Sequence, residues 1–293
     1  MKDLLSREDW QRLERLVLCS RTAATVPLPG RRTGAHRGYS VEFHDYRAYE
    51  PGDDPRDIDW TLYGRLDRLF LRLFRAESEL TAHLLVDTSA SMGLGRPDKL
   101  TFASRLAAAV AYVVASNQER VGLATFASGL DLVIEPRRGR AQAGRLLDAL
   151  AGLRPGGASD FMRSLQQYGG VPNRRGLAIV ISDAFAPAGV REGLAYLAYR
   201  GFEVTLLHVL SDDELAPDLD DVVELTDVEG SGAPMTADGL TVDAYRQALD
   251  AYLRDLERFC ASQRIVYLRA ASSMAFDVVV AHGLRAGMWQ PRG

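Results

Sequence analysis

Asp87, Ser89 and Ser91 stand two residues apart and follow directly on a short apolar run, Leu84-Leu85-Val86. That run, bounded by turn-forming residues, reads as a buried strand. Spacing of this kind lets three short oxygen side chains converge on one point at the strand's carboxyl end. In open α/β sheets that end is where ligands bind. A carboxylate with two hydroxyls is a set of hard oxygen donors, suited to Mg²⁺ or Mn²⁺ rather than Zn²⁺. Two more strand ends offer oxygens. The loop Pro155-Gly156-Gly157-Ala158-Ser159-Asp160 carries the Ser159 hydroxyl, and the apolar run Gly176 to Ile181 ends at Ser182-Asp183. The same residue types also cap helices. A helix start is the plainer role for Asp160, and it stands as the alternative for Asp87 and Asp183.

The elements that must position these groups are legible from residue 82 onward. A strand over 83–87 precedes a helix near 98–117, where Leu100, Ala103, Leu106, Ala107, Val110, Val113 and Val114 form an apolar stripe. Val121 to Phe126 and Leu130 to Ile134 read as strands too close in sequence for a crossover, which predicts an antiparallel hairpin. Helices near 141–152, 161–168 and 189–200 alternate with strands over 176–181 and 203–209. A hairpin insertion near 212–240, a helix over 242–262, the strand Ile265 to Leu268 and a helix over 274–286 complete the chain. Strands alternating with helices predict a doubly wound, mainly parallel sheet with one antiparallel strand. With the first of these strands central, the oxygen-bearing loops lie side by side.

Upstream, residues 3–21 predict a helix. Residues 31–79 interleave arginines, carboxylates and aromatics. Pro51, Pro55 and Trp60 suit a rigid packed loop within Tyr49 to Trp60, with a docking surface as the alternative, and Arg31, Arg32 and Arg37 suit a solvated basic turn, with binding of phosphate or an acidic partner as the alternative. The expected organisation is an N-terminal extension over 1–79 and a domain over 80–288. His83 and His208 fall in strand patterns and read as core residues.

The chain of 293 residues is 47% hydrophobic and 25% charged, enough to fill a sizeable core. A net charge of −4 argues against non-specific nucleic-acid binding. Nine acidic and no basic residues fall within 212–229, which reads as a solvated insertion. Cys19 and Cys260 are too few for a metal knuckle, and two reduced thiols are expected. No run of about 18 apolar residues stands out, and the first residues lack an apolar signal core, so a soluble, cytoplasmic chain is expected. There is no Gly-x-Ser-x-Gly elbow and no Walker A sequence.

Asp-x-Ser-x-Ser, a hydroxyl after a Gly-Gly loop, and an Asp ending an apolar strand resemble the metal-ion-dependent adhesion site of von Willebrand factor A domains. Tyr49 to Trp60, with Glu77-Ser78-Glu79-Leu80 before the site strand, resembles the bacterial domain-of-unknown-function 58 family. The resemblance spans roughly residues 30–287. It implies a von Willebrand A-like fold and Mg²⁺ or Mn²⁺ held by Asp87, Ser89 and Ser91. Ser159 would stand in place of the family's usual Thr, and Asp183 in place of the second Asp. It also implies a MoxR-type AAA+ ATPase as partner, with a role in protein maturation or remodelling.

Two carboxylates and neutral hydroxyls balance one divalent cation. Mg²⁺ keeps waters when its cage is incomplete, so a protein partner's Asp or Glu could replace one. Metal-bridged protein binding without catalysis is therefore the expected function. The alternatives are a Mg²⁺- or Mn²⁺-dependent hydrolase at the same site, and a scaffold that holds no ion.

Overall fold

The computed structural model describes residues 7–13, 16–18, 27–29, 41–76, 80–172, 174–186, 188–217, 223–225, 228, 235–237, 239–285 and 288–291. The chain forms two compact units, Arg21–Leu80 and Met1–Ser20 with Thr81–Gly293. The larger unit opens on helix α1 (Arg7–Leu13) and strand β1 (Leu16–Leu18). The helix expected over 3–21 is thus cut short. Leu16 and Leu18 are buried and Leu16–Leu18 pairs antiparallel with Trp289–Pro291, so alternation rather than a helical stripe sets these positions. Residues 1–20, expected in the extension, therefore belong with the larger unit. Cys19, Arg31, Arg32, Arg37 and the stretch 77–79 lie outside the described residues.

The smaller unit contains β2 (Pro27–Pro29), β3 (Val41–Ala48), α2 (Trp60–Leu66) and β4 (Phe70–Ala76). Its sheet is antiparallel in the order β2-β4-β3. The carboxylates after Pro51-Gly52 are structural. Asp53 Oδ1 accepts from Arg47 Nη2 at 2.6 Å, and its Oδ2 accepts from the Glu50 N–H at 2.9 Å. Buried Asp59 caps α2 by accepting from Thr61 N and Leu62 N, and also accepts from the Tyr46 hydroxyl at 3.1 Å. Trp60 departs from expectation. It is the first residue of α2, a helix that buries none of its side chains, and it is 61% exposed.

The larger unit continues through β5 (Thr81–Asp87), α3 (Lys99–Ser116), β6 (Arg120–Phe126), β7 (Leu130–Arg137), α4 (Arg140–Ala151), α5 (Phe161–Gly169) and β8 (Gly176–Ser182). Then follow α6 (Val190–Tyr199), β9 (Phe202–Leu210), α7 (Asp212–Leu215) and the hairpin strands β10 (Val223–Leu225) and β11 (Met235–Ala237). Helix α8 (Gly239–Ser262), β12 (Val266–Ala271), α9 (Phe276–Arg285) and β13 (Trp289–Pro291) close the chain. The main sheet has the order β12-β9-β8-β5-β6-β7 and is parallel except for β7, which runs antiparallel to β6. This is the doubly wound, mainly parallel sheet expected of a von Willebrand A-like domain.

Burial follows from the alternation of side chains along each strand. On one face Leu85, Phe126, Val180 and Leu206 meet Phe161 and Leu165 of α5, Leu194 of α6, and Leu256 and Cys260 of α8. Helix α3 packs against β5, β6, β8 and β9. Its buried alanines, Ala103, Ala107, Ala108 and Ala111 among them, let the helix lie close to the strands. The chain crosses from β5 to β6 on one side and later returns to β8 on the other. The loops diverge there, which makes the β5/β8 boundary the switch point where such sheets bind ligands.

Both strand histidines are core residues, as expected. His83 Nε2 lies 3.1 Å from the Arg175 carbonyl and Nδ1 2.7 Å from the Tyr168 hydroxyl. A carbonyl only accepts, so Nε2 carries the proton and Nδ1 accepts from the tyrosine. Burial pushes the His83 pKa down to about 4. The unfolded chain binds a proton near the ordinary value of about 6.5, so stability contributed by neutral His83 is complete above that pH and is lost as pH falls toward 4. Urea denaturation should show about 2 kcal/mol of wild-type stability lost between pH 7 and pH 5 through His83 alone. The pH slope of His83→Gln should be shallower by close to one proton, and equal slopes would show that the histidine is not neutral in the fold.

Candidate metal centre

Strand β5 delivers Asp87 at its last position, almost fully buried, and a short 3-10 turn, Ala90–Gly93, follows. The turn carries the two serines back together, with Ser89 Oγ 3.1 Å from Ser91 Oγ. Ser89 is buried and Ser91 half-buried, so the pair runs from the interior toward solvent. Asp87 Oδ1 accepts from the Ser89 N–H at 2.9 Å, and Oδ2 accepts from Ser182 Oγ at 2.6 Å. Each carboxylate oxygen keeps a further lone pair for another partner.

The loop with Ser159 is stitched to this turn through the backbone. Gly156 N donates to Thr88 O and Ala90 N donates to Gly157 O, each at 2.8 Å. Gly157 has φ of +78°, a conformation that favours glycine. These bonds seat the loop against residues 88–90, on both sides of Ser89. Asp160 caps α5 by accepting from Arg163 N at 3.1 Å, the plainer of its two readings.

Asp183 follows β8, whose Ile181 is registered against Val86 of β5. It is almost fully buried. Its backbone is held by His208, whose Nε2 donates to the Asp183 carbonyl at 2.7 Å while Nδ1 accepts from the Tyr267 hydroxyl at 2.8 Å. The next residue, Ala184, takes φ of +51°, unusual for a residue with a Cβ, and its N–H donates to Ser182 Oγ at 2.9 Å. The Ser182 hydroxyl thus donates to Asp87 while accepting from the turn that follows Asp183. Asp183 Oδ1 accepts from Phe185 N at 3.2 Å, and Oδ2 accepts from Lys99 Nζ at 2.7 Å.

Lys99 and Glu214 were not among the residues singled out from sequence. Lys99 is fully buried at the first position of α3 and also donates to Glu214 of α7. A cation at a helix N-terminus opposes the helix dipole, and this misplaced charge is the signal that could have exposed Lys99. Ser211-Asp212-Asp213-Glu214 is a capping box, with Ser211 Oγ accepting from Glu214 N and Glu214 Oε2 accepting from Ser211 N. Ser182 reads in sequence only as the end of an apolar strand, yet its hydroxyl holds Asp87.

Asp87, Ser89, Ser91, Asp183 and the Ser159 loop therefore meet at one sheet edge. Among the described residues no three His, Cys, Asp or Glu side chains form a ready metal cage. An ion here would depend on two carboxylates with serine hydroxyls, a donor set that fits Mg²⁺ or Mn²⁺. The electrostatics agree. Burial foremost, and then the charge of Asp183, raise the Asp87 pKa well above the ordinary carboxylate range. A buried acid with a raised pKa loses stability as pH climbs from its unfolded value through its folded one. In EDTA at pH 8, Asp87→Asn should raise stability by at least about 1 kcal/mol, one pKa unit's worth. The gain should shrink at pH 5, and a loss at pH 8 in chemical denaturation would contradict this account of the carboxylate.

The sequence matches the model of the family described as protein of unknown function DUF58 over residues 45–255. It is 32% identical over 240 residues to the uncharacterized protein Rv1480 of Mycobacterium tuberculosis, covering 79% of this chain and 74% of that protein. Among solved structures, an aerotolerance-related membrane protein from Bacteroides fragilis is similar at TM-score 0.45 and 17% identity, covering 71% of this chain and 98% of that one. The VWA domain of SpRpn10 is similar at TM-score 0.40 and 14% identity, covering 69% and 94%. The expectation of a cytoplasmic chain, which rested on the lack of a long apolar run, is corrected by one helix. Helix α3, Lys99–Ser116, is long and apolar enough by composition to cross a membrane at mean hydropathy 1.2, though 78% of it is buried in the fold. The family match covers well over half of the chain and the Rv1480 likeness reinforces it, so the chain belongs to the DUF58 family.

Proposed function

We propose that this protein is a metal-dependent binding module that takes a carboxylate from a protein partner at the Asp87 site. The ion would be Mg²⁺ or Mn²⁺, held by Asp87, Ser89, Ser91, Ser159 and Asp183. The observation that carries this reading is the meeting of the Asp87–Ser91 turn, the Ser159 loop and Asp183 at the switch point of the sheet. Bound there, the ion supplies an electrophile with exchangeable water positions, and the chain's side chains fix where that electrophile faces.

The titratable groups in direct contact with the candidate acids are already engaged. Both nitrogens of His208 are engaged, and burial lowers its pKa to about 4. Asp87 is held by Ser182 and Ser89, and Asp183 by Lys99. A hydrolase needs a group ready to take a proton from water, so these engagements favour binding over turnover. The partner proposed from family resemblance is a MoxR-type AAA+ ATPase, which this protein would assist in maturing or remodelling other proteins.

Binding of a purified MoxR-type ATPase to the immobilised chain should be strong in Mg²⁺ and lost in EDTA. Asp87→Ala should bind at least about tenfold more weakly, the factor that follows from losing 1.4 kcal/mol of contact. Affinity that survives both chelation and the substitution would refute the metal-bridged reading.

A further inference from the structure

The buried ammonium of Lys99 sits where a metal-binding reading leaves no role for it. Its Nζ donates to Asp183 Oδ2 at 2.7 Å and to Glu214 Oε1, and lies 5.7 Å from the centroid of the Phe185 ring. The side chain is fully enclosed, so the ammonium has exchanged water for these groups. One carboxylate oxygen cannot serve an ammonium and a divalent ion equally, because the two cations repel at short range in a low dielectric.

Glu214 is built to receive that ammonium. Its Oε2 is anchored by the Ser211 N–H, which leaves Oε1 facing Lys99. Its side chain is 16% exposed, so its charge is less costly to maintain than that of Asp183. The charges of Asp87, Asp183, Glu214 and Lys99 sum to −2 when the carboxylates are ionised, which one divalent cation neutralises.

We infer that Lys99 is a tethered cation competing with the divalent ion for Asp183, and that Glu214 is the seat that keeps the ammonium paired when the ion binds. This rests on the metal reading proposed above. The competitor lowers affinity and so keeps the ion exchangeable. It also carries the state of the site to α7, which leads into the acidic segment.

The test is Mn²⁺ binding to the full chain, followed by the loss of the free-ion electron paramagnetic resonance signal. Lys99→Met removes the competitor and should tighten binding by at least about tenfold, in line with the removal of one nearby unit charge. Glu214→Gln removes the alternative seat and should weaken binding several-fold. Arg145→Met, an exposed charge on α4, should leave affinity unchanged because solvent screens it. Opposite shifts for Lys99 and Glu214 are not expected of residues that only hold the fold together. A wild-type chain that binds Mn²⁺ while Lys99→Met binds no tighter overturns the inference and leaves the metal reading standing. If Lys99→Met alone binds, the competition stands and the metal-bridged reading of the native chain falls. If neither binds, both fall. If Lys99→Met fails to fold, Glu214→Gln decides: unchanged or tighter binding overturns the inference.

Discussion

Two carboxylates brought to the ends of neighbouring buried strands are the constraint to which the larger unit answers. Asp87 and Asp183 are 1% and 2% exposed, so water screens neither. Loss of hydration, and then their mutual repulsion, raise the Asp87 pKa and favour a proton on it. The surrounding groups offset the same penalty in other ways. Ser182 and the Ser89 amide donate to Asp87, and the Lys99 ammonium donates to Asp183. A scaffold without a function at this edge could have placed apolar side chains there at lower cost. Keeping two acids together is the kind of local expense that marks a functional site.

The scaffold fixes these acids with ordinary means. The parallel register of β5 and β8 brings their ends level, and the alternation of side chains sends Leu85 and Val180 into the core cluster on one face. His208 holds the Asp183 carbonyl, and Tyr267 holds His208. The same neutral arrangement recurs nearer the amino end of β5, where Tyr168 and the Arg175 carbonyl take the two nitrogens of His83. In both cases a buried imidazole acts as a rigid spacer between a carbonyl and a phenol. The left-handed backbone at Ala184 costs about 1–2 kcal/mol. Strand alternation sends Ser182 to the neighbouring acid and Asp183 to the lysine, and the bend at Ala184 turns its N–H back onto the Ser182 hydroxyl.

Much of this was legible because the signals are local. Apolar runs of strand length, alternating with stripes of helical period, led to the six-stranded sheet, and the short gap after Phe126 led to antiparallel β7. The Asp87, Ser89 and Ser91 spacing pointed to a converging turn, and the serines do converge. What escaped depends on distant partners. Lys99 and Asp183 are 84 positions apart, and Lys99 and Glu214 are 115 apart, so no window of sequence holds either pair. The helix expected over 3–21 failed because Leu16 and Leu18 serve a strand completed only by residues near the far terminus. Trp60 looked like a core residue by type, but the Asp59 cap begins a short helix with no buried face.

A cage made only for holding an ion would surround it with charge and keep it. This site instead combines two acids with hydroxyls, one of which, on Ser91, is half-buried and faces outward. A lysine already sits on one of the acids. The lysine in particular would lower the hold on a divalent ion. Weak ligation with open coordination positions suits an ion that completes its sphere with a partner's oxygen, because the energy withheld by the cage becomes available to the complex. On that argument the Lys99–Glu214 pair belongs to the same design as the serines. It offsets part of the acids' charge without an ion, and under the proposed reading it would leave a bound ion open to an acid from outside.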